Sequence, residues 1–434
     1  MLLYVFGGQF SAEKVVSFGR KKHGANAGEN QTTYVGSFAV LDPTKSNVKG
    51  ETVNLVEWIQ NPGNPAEIHA FAPSLEEKSY AGFVKEGIYK LTLKISCKSG
   101  NIYMDSLIIT VKSRQMSLIE DVNLEALIRQ VLNYKEGSLI GTKLQILDTL
   151  SKNNFSLKNK ITSLKGLDNC INLIYLGLPL ESITDLKPLS NLKKLEYLNL
   201  NQNRTIEDIS PIYNLINLRK LILYSNPIRD ISGLGKLTKL TELWLLDTPI
   251  SNISSLSSLV NLETLYIDGV GLEEKFNNIE ALSNLSKLKY LDMAGRGITN
   301  IMPLENLTEL VLLNLSYNDL TEISSVSKMT KLIRLYIRRN NVEDLSGIRN
   351  LENLDFLDAA DNQIKDITEL QYLPQIHLIG LSGNNIEDIS PLVNNPNLGK
   401  GVYLYLGGNP LNEKSINEYV PLLIQRGVTV YTNL

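Results

Sequence analysis

Residues 332–353 read LIRLYIRRNNVEDLSGIRNLEN, and residues 354–362 begin the same pattern again as LDFLDAADN. Ten units align on LxxLxLxxNxIxDIxxLxNLxx, with a spacing of 22 residues except for 23 in the second unit and 26 in the fifth. The units begin at Leu173, Leu195, Leu218, Leu240, Leu262, Leu288, Leu310, Leu332, Leu354 and Ile376. A degenerate eleventh unit contains Leu404, Leu406 and Asn409. Self-similarity at a fixed period of this length indicates an array of stacked structural repeats.

The spacing of the leucines predicts the structure of one unit. In LxxLxL the leucines face inward and the residues beside them face outward, which is the alternation of a β-strand. One unit cannot bury its leucines alone, so neighbouring units stack and share a continuous core. We therefore expect a concave parallel sheet of eleven strands, with strands about 4.8 Å apart. The return segments, such as residues 206–212, are too short for a long helix and predict 3₁₀ turns on the convex side.

An asparagine stands where the chain leaves most of these strands, and its side chain can bond to backbone groups that the turn would otherwise leave unpaired. The column consists of Asn203, Asn226, Asn318, Asn340, Asn362, Asn384 and Asn409. Less regular turns are expected in the four units where another residue takes its place: Glu181, Thr248, Val270 and Arg296. The longer fifth unit adds residues 273–278 on the return path, and we expect Phe276 either at an interface or in the core.

The composition argues against several classes of protein. A chain of 434 residues is too long for one ordinary hydrophobic core. The net charge of −3 and the scattered basic residues give no reason to expect a nucleic-acid partner. No run of about 18 apolar residues is present, so no membrane span is expected. The two cysteines, Cys97 and Cys170, fall in different predicted domains, which favours two buried thiols over a disulfide.

The first hundred residues lack the repeat and alternate in polarity over 37–41, 89–95 and 106–111, with turn-rich stretches between. Short strands at this spacing predict a β-sandwich. The segment resembles an immunoglobulin-like domain of the polycystic-kidney-disease (PKD) type, with Trp58 as the expected core tryptophan. The matching pieces are Ala27-Gly28-Glu-Asn-Gln31, Gly36, Leu41-Asp42, Glu57-Trp58, Glu86-Gly87-Ile-Tyr89 and Asp105.

Residues 115–434 resemble the internalin-type leucine-rich-repeat proteins of bacteria. Residues 122–132 look like that family's helical N-terminal cap, and residues 409–420 with 427–431 look like its helix–strand C-terminal cap. Such caps cover the open ends of the hydrophobic stack. We expect a sandwich at 1–112, an N-terminal cap with a degenerate first repeat at 113–172, leucine-rich repeats at 173–410 and a C-terminal cap at 411–434.

The resemblance implies a monomeric adhesion protein that is secreted or on the cell surface and binds a protein partner, such as a host surface protein. Residues 1–6 are apolar and are interpreted as the remnant of a leader or as the first strand. Two alternatives stay open. Cytoplasmic phosphatase regulatory subunits share the 22-residue repeat, which allows a cytoplasmic scaffold or regulatory subunit. Stacked aromatic rings also suit sugars, which allows a glycan-binding surface protein.

No constellation of catalytic, metal-binding or cofactor-binding residues is recognisable. The three histidines, His23, His69 and His377, have no nucleophile motif or second ligand beside them. The carboxylates Asp208, Asp230, Asp344, Asp366 and Asp388 recur with the repeat, so the column is architectural. Phosphate-binding glycine loops and the spacings of zinc and calcium ligands are absent from the sequence. A non-enzymatic protein without metal or cofactor is therefore expected.

The outward positions beside the strand leucines carry an aromatic ring in nearly every unit: Tyr175, Tyr197, Tyr224, Trp244, Tyr266, Tyr290, Tyr317, Tyr336, Phe356, Tyr403 and Tyr405. Exposing so many rings to water is unfavourable unless a partner covers them. Rings lose little side-chain entropy on binding, and they dominate the energetics of many interfaces. The alternative is that the rings stack on one another and stabilise the sheet by themselves.

Charges on this face are grouped as well. The eighth and ninth units contribute opposite charges at neighbouring positions, which either pair with each other or orient a partner: Arg334, Arg338, Arg339, Asp355, Asp358 and Asp361. We assign Arg334, Arg338 and Asp358 to the predicted partner-binding surface. A cationic partner, or more weakly a metal, suits a second group around Trp244 and Tyr266: Glu242, Asp247, Glu263 and Asp268.

Overall fold

A computed structural model describes residues 15–16, 23–35, 37–70, 75–112, 117–135, 137, 139–152 and 159–432. The predicted leader or strand at residues 1–6 and Gly36 of the predicted PKD match lie outside these ranges. The chain divides into two compact units, Met1–Met116 and Ser117–Leu434.

The first unit contains two β-sheets. Its described strands are β1 (Val15–Val16), β2 (Gln31–Tyr34), β3 (Phe38–Leu41), β4 (Val53–Gln60), β5 (His69–Ala70), β6 (Ser79–Gly82), β7 (Gly87–Cys97) and β8 (Ile102–Lys112). One sheet has the order β1-β8-β7-β4, with β2 also paired to β8, and the other has the order β3-β6-β5. A 3₁₀ turn follows β3, Pro43–Lys45. Both sheets contribute apolar side chains to one core, as expected for a sandwich.

The aromatic core of this unit differs from the prediction. Phe83, Tyr89 and Tyr103 are buried among the described residues, and the first two lie edge to face with centroids 4.9 Å apart. Trp58 is only half-buried, because it packs against the border of the core. The hydroxyl of Tyr89 donates to Lys85 O at 2.8 Å, an arrangement that resembles the tyrosine corner of immunoglobulin-like sandwiches.

The second unit is a solenoid with one sheet of thirteen parallel strands, paired in sequence order. The strands are β9 (Thr149–Ser151), β10 (Tyr175–Gly177), β11 (Tyr197–Asn199), β12 (Lys220–Ile222), β13 (Glu242–Trp244), β14 (Thr264–Tyr266), β15 (Tyr290–Asp292), β16 (Leu312–Asn314), β17 (Arg334–Tyr336), β18 (Phe356–Asp358), β19 (Leu378–Gly380), β20 (Tyr403–Tyr405) and β21 (Thr429–Tyr431). The prediction of eleven strands was too low, because the degenerate first repeat and the C-terminal cap each add one.

The ends and the convex side agree with the predicted architecture. Helix α1 (Val122–Val131) is capped by Asp121, whose side chain accepts from two backbone N–H groups of the first turn. The remaining helices are α2 (Gly141–Leu144), α3 (Ser390–Asn394) and α4 (Val420–Gln425), the last preceded by a π-helical turn at Ser415–Tyr419. The return segments contain 3₁₀ turns at Leu167–Asn169, Lys187–Leu189, Ser210–Ile212, Leu234–Lys236, Ser254–Ser258, Glu280–Leu282, Met302–Leu304, Ser324–Lys328 and Thr368–Tyr372.

The asparagine column is a ladder of buried or part-buried amides, interrupted where Thr248, Val270 and Arg296 take the asparagine position. The amide of Asn340 donates to Leu315 O and Ile337 O, at 3.0 and 2.9 Å, and its carbonyl accepts from Leu320 N at 3.0 Å. Leu315 O also accepts from the preceding asparagine, Asn318, at 2.9 Å. Each of these shared carbonyls therefore joins two repeats. Of the replacements, Glu181, Thr248 and Arg296 are fully buried, whereas Val270 is exposed.

Arg296 replaces the asparagine of its unit and bonds to backbone carbonyl groups through its guanidinium. Its guanidinium donates to Ile267 O, Asp268 O and Thr248 O at 2.6, 2.9 and 3.1 Å. Burial lowers the pKa of this guanidinium to about 10. Space for it exists because residue 269 is glycine, where a Cβ would lie 2.6 Å from Arg296 Cζ. Phe276 is in the core beneath the guanidinium, 5.0 Å from ring centroid to Cζ.

Candidate partner-binding surface

The strand register places two outward columns on the concave face, one on each side of the central leucines. Adjacent strands pair residue for residue, as in Tyr175 with Tyr197 and Trp244 with Tyr266. Each column therefore presents one side chain per repeat, with about 4.8 Å between neighbours. This regular spacing produces an open, continuous surface.

The structure distributes the predicted residues over several positions. The column before the central leucine contains Tyr175, Tyr197, Tyr290, Arg334, Phe356 and Tyr403. The column after it contains Trp244, Tyr266, Tyr336, Asp358 and Tyr405. Tyr224, Tyr317 and Arg338 lie just beyond the ends of β12, β16 and β17 rather than within the two strand columns. Tyr317 has a left-handed backbone, φ +61°.

The rings form separate pairs rather than one ladder. Tyr175 and Tyr197 stack with centroids 4.0 Å apart, and Trp244 and Tyr266 lie edge to face at 5.1 Å. The other pairs are Tyr336 with Phe356 at 4.8 Å and Tyr405 with Tyr431 at 4.6 Å. Sequence reasoning missed Tyr431, because it was assigned to the cap rather than to a concave strand. Tyr290 and Tyr403 belong to none of these four pairs, and they keep 39% and 45% of their surface exposed.

Two cations on this face lie between a ring and a carboxylate. The ammonium of Lys220 pairs with Glu242 at 2.5 Å and lies 5.1 Å from the ring centroid of Trp244. The guanidinium of Arg339 lies 5.1 Å from the ring centroid of Tyr317 and 3.5 Å from an oxygen of Asp361. Cation–π attraction and the ion pair act together in such an arrangement.

Some of the salt bridges expected between the eighth and ninth units are present. Arg338 donates to Asp361 from both Nε and Nη2, at 3.1 and 2.9 Å. Asp355 pairs with His377 of the next unit at 2.5 Å. Asp358 is partly buried, and this burial raises the pKa of its carboxyl. Within the described ranges, Arg334 forms no salt bridge.

The carboxylates that were predicted to surround Trp244 differ in whether they are paired with a cation. Glu242 is bound by Lys220, and Glu263 pairs with Lys289 at 2.8 Å. Asp268 has no such salt bridge among the described residues. Its carboxylate is close enough to Asp292 and Asp247 for their charges to affect its pKa. Burial, followed by these two like charges, raises the pKa of Asp268 to about 6, although the Arg296 cation lowers it in part.

We call Trp244, Tyr266, Asp268 and Asp292 the acidic–aromatic cluster. Tyr266 and Asp292 are direct register partners on β14 and β15. Burial also raises the pKa of Asp292, although its carboxylate accepts from Ala294 N and Asn314 Nδ2. Asp268 Oδ1 and Trp244 Nε1 are buried and have no hydrogen-bond partner. Asp292 was missed from sequence, although its position directly after a strand leucine was the available signal.

Side-chain contacts are described for His23 and His377, whereas the side chain of His69 lies outside the described part of the structure. His23 Nε2 lies 3.4 Å from the hydroxyl of Tyr103 and 5.5 Å from its ring. His377 is exposed and bound to Asp355. In the described part of the chain, no three His, Cys, Asp or Glu side chains are close enough together to hold a metal ion. No helix among these residues is long and apolar enough to cross a membrane.

The comparisons with known proteins agree with this geometry. The family model "Leucine Rich repeats (2 copies)" matches residues 216–258 and 330–372, which defines the chain as a leucine-rich-repeat protein. A solved internalin (inlF) from Listeria monocytogenes is 31% identical, with 73% of this chain and 92% of that chain covered and a TM-score of 0.65. The chain belongs to the internalin family of leucine-rich-repeat proteins. No curated protein matches it.

Two more distant structures share the fold. A leucine-rich-repeat protein of Leptospira interrogans is 20% identical over 71% of this chain and 94% of that one, with a TM-score of 0.50. The leucine-rich-repeat ectodomain of the Arabidopsis thaliana membrane receptor kinase GASSHO1/SCHENGEN3 was solved in complex with CASPARIAN STRIP INTEGRITY FACTOR 2. It is 20% identical over 62% of this chain and 36% of that one, with a TM-score of 0.50.

Proposed function

We propose that this chain is a non-enzymatic adhesion protein that binds a protein partner on the concave face of its repeats. The observation that carries the proposal is the concave surface itself. Nine predicted rings occupy two outward columns, and each of them is at least partly exposed. A rigid backbone with rings already ordered by their neighbours loses little entropy when a partner covers them.

A bacterial surface or secreted location is part of the proposal. It rests on membership of the internalin family and on the PKD-like sandwich that precedes the repeats. The residues 1–112 would then serve as a spacer or as a second contact, and residues 113–172 and 411–434 as caps of the binding region at 173–410. Fractionation of the native organism, followed by protease shaving of intact cells, would test the location. A signal confined to the cytosol would contradict it.

The binding face is tested with variants that remove rings without disturbing the core. The triple variant Trp244→Ala, Tyr266→Ala, Tyr336→Ala truncates three half-buried side chains of the second outward column. A matched control is Tyr372→Ala, which removes a 42% exposed ring from a convex 3₁₀ turn. Melting temperatures measured alongside exclude unfolding as the cause of any loss.

We expect immobilised wild-type protein and the control to retain the same surface proteins from extracts of candidate host cells. The triple variant should lose them while remaining folded. Equal retention by all three proteins would contradict binding on the concave face. The glycan alternative is examined on a sugar array, where the wild-type protein should show no saturable binding.

A further inference from the structure

Several carboxylates of the concave face are paired with a cation of a neighbouring unit, whereas, among the described residues, those of the acidic–aromatic cluster are not. Glu242, Glu263 and Asp361 each have a lysine or arginine within 2.9 Å on an adjacent unit. In the ranges that the structure describes, Asp268 and Asp292 have no such salt bridge. Arg296 lies behind Asp268, but it donates to the backbone oxygen of that residue rather than to the carboxylate.

The chain itself shows how such carboxylates are neutralised on this face. Lys220 lies against the ring of Trp244 while it binds Glu242, and Arg339 lies against Tyr317 while it binds Asp361. The acidic–aromatic cluster repeats the ring and the carboxylates of these two arrangements but lacks the cation. Tyr266 stands beside Asp292 in register, and Asp268 follows Tyr266 by two residues.

Resting on the proposed function, we infer that the acidic–aromatic cluster binds a cationic side chain, arginine or lysine, of the protein partner. The cation lies between the carboxylates of Asp268 and Asp292 and against the ring of Tyr266. Charge complementarity selects a basic segment of the partner, because two partly buried carboxylates on neighbouring strands repel any acidic one.

Two further features agree with a site that a ligand completes. Asp268 Oδ1 is buried without a hydrogen-bond donor, which costs stability in the free protein. The pKa of Asp268 is raised to about 6, first by burial and then by Asp292. A cation beside these carboxylates offsets the repulsion between Asp268 and Asp292, and this relief favours binding.

The test uses the full chain and the peptide acetyl-Gly-Arg-Gly-Arg-Gly-amide, followed by calorimetry and by tryptophan emission. The same peptide with citrulline in place of arginine keeps the shape and removes the charge. The variant Asp268→Asn, Asp292→Asn is compared with Asp208→Asn, Asp230→Asn, which removes the same charge from convex turns. Those two aspartates accept from Ser210 N and Ser232 N at 2.8 Å, and asparagine preserves such caps.

We expect saturable binding of the arginine peptide and a loss of roughly tenfold or more with citrulline or in the concave variant. The convex variant should bind like the wild type. Affinity should rise as the pH is raised from about 5 to about 7.5, because Asp268 ionises in this range. Equal loss in both variants, equal binding of both peptides, or no binding up to millimolar peptide would overturn the inference. Retention of a partner through the other rings would still support the proposed function in that case.

Discussion

Replacing Asn340 by alanine removes one rung of the buried amide ladder. The side chain donates to Leu315 O and Ile337 O and accepts from Leu320 N, all at 2.9 to 3.0 Å. The two carbonyls keep a second amide partner, from Asn318 and Asn362 respectively. Leu320 N has only the asparagine oxygen, and Leu320 is fully buried.

These contacts set the size of the effect. Leaving the buried Leu320 N–H without an acceptor costs about 1–3 kcal/mol, and each lost bond to a carbonyl that keeps another partner costs about 0.5–1 kcal/mol. The sum predicts that Asn340→Ala lowers the free energy of unfolding of the repeat unit by about 2–5 kcal/mol. The adjacent Asn341 is exposed, so Asn341→Ala should cost less than about 0.5 kcal/mol.

Because Leu315 O accepts from two asparagines, a double variant gives a second prediction. In the double variant Asn318→Ala, Asn340→Ala, Leu315 O loses both of its amide donors, whereas each single variant removes only one. The double variant should therefore be less stable than the sum of the singles by about 1 kcal/mol. Asn318 and Asn384 bond to different carbonyls, so that pair should be additive.

Urea denaturation followed by far-UV circular dichroism measures the four single and two double variants. Global m-values that match the wild type would confirm that the midpoints report stability. A loss below about 1 kcal/mol for Asn340→Ala, or the same loss for Asn341→Ala, would refute the role assigned to the ladder. Strict additivity of the neighbouring pair would refute the sharing of Leu315 O.

Two other perturbations test the buried charges near β14. Folding raises the pKa of Asp268 from 3.8 to about 6. The protonated side chain therefore contributes stability that is fully present below pH 3.8 and is lost as the pH rises through about 6. The free energy of unfolding of Asp268→Asn should thus exceed that of the wild type by up to about 2 kcal/mol at pH 8 and by nothing at pH 3. A difference that does not vary with pH in urea titrations would contradict this. Gly269→Ala places a Cβ 2.6 Å from Arg296 Cζ and should cost about 1–3 kcal/mol, with part of the loss recovered when Arg296→Ala is added. An unchanged melting temperature for Gly269→Ala would show that the guanidinium is not confined there.

Most of the solenoid could be predicted from the sequence because its interactions are local and repeated. The leucine spacing determines strand, turn and stacking direction, and the asparagine position determines which backbone groups the column must satisfy. The helix beginning after Asp121 and the C-terminal cap followed from local patterns as well. Errors arose where a unit departs from the period, as at β9 and β21, where the leucine pattern is too weak to recognise.

The composition of the concave surface was predictable, but its arrangement was decided by the tertiary structure. Alternation along a strand says which side chains face outward, and the register between strands decides which of them meet. That register separates the rings into pairs and leaves Asp268 and Asp292 together without a cation. Likewise, the sequence predicted that Arg296 interrupts the column. In the structure it is a buried donor, because Gly269, 27 positions earlier in the chain, leaves space for its guanidinium. Such pairings join residues far apart in sequence, so the local pattern that determines each repeat carries no information about them.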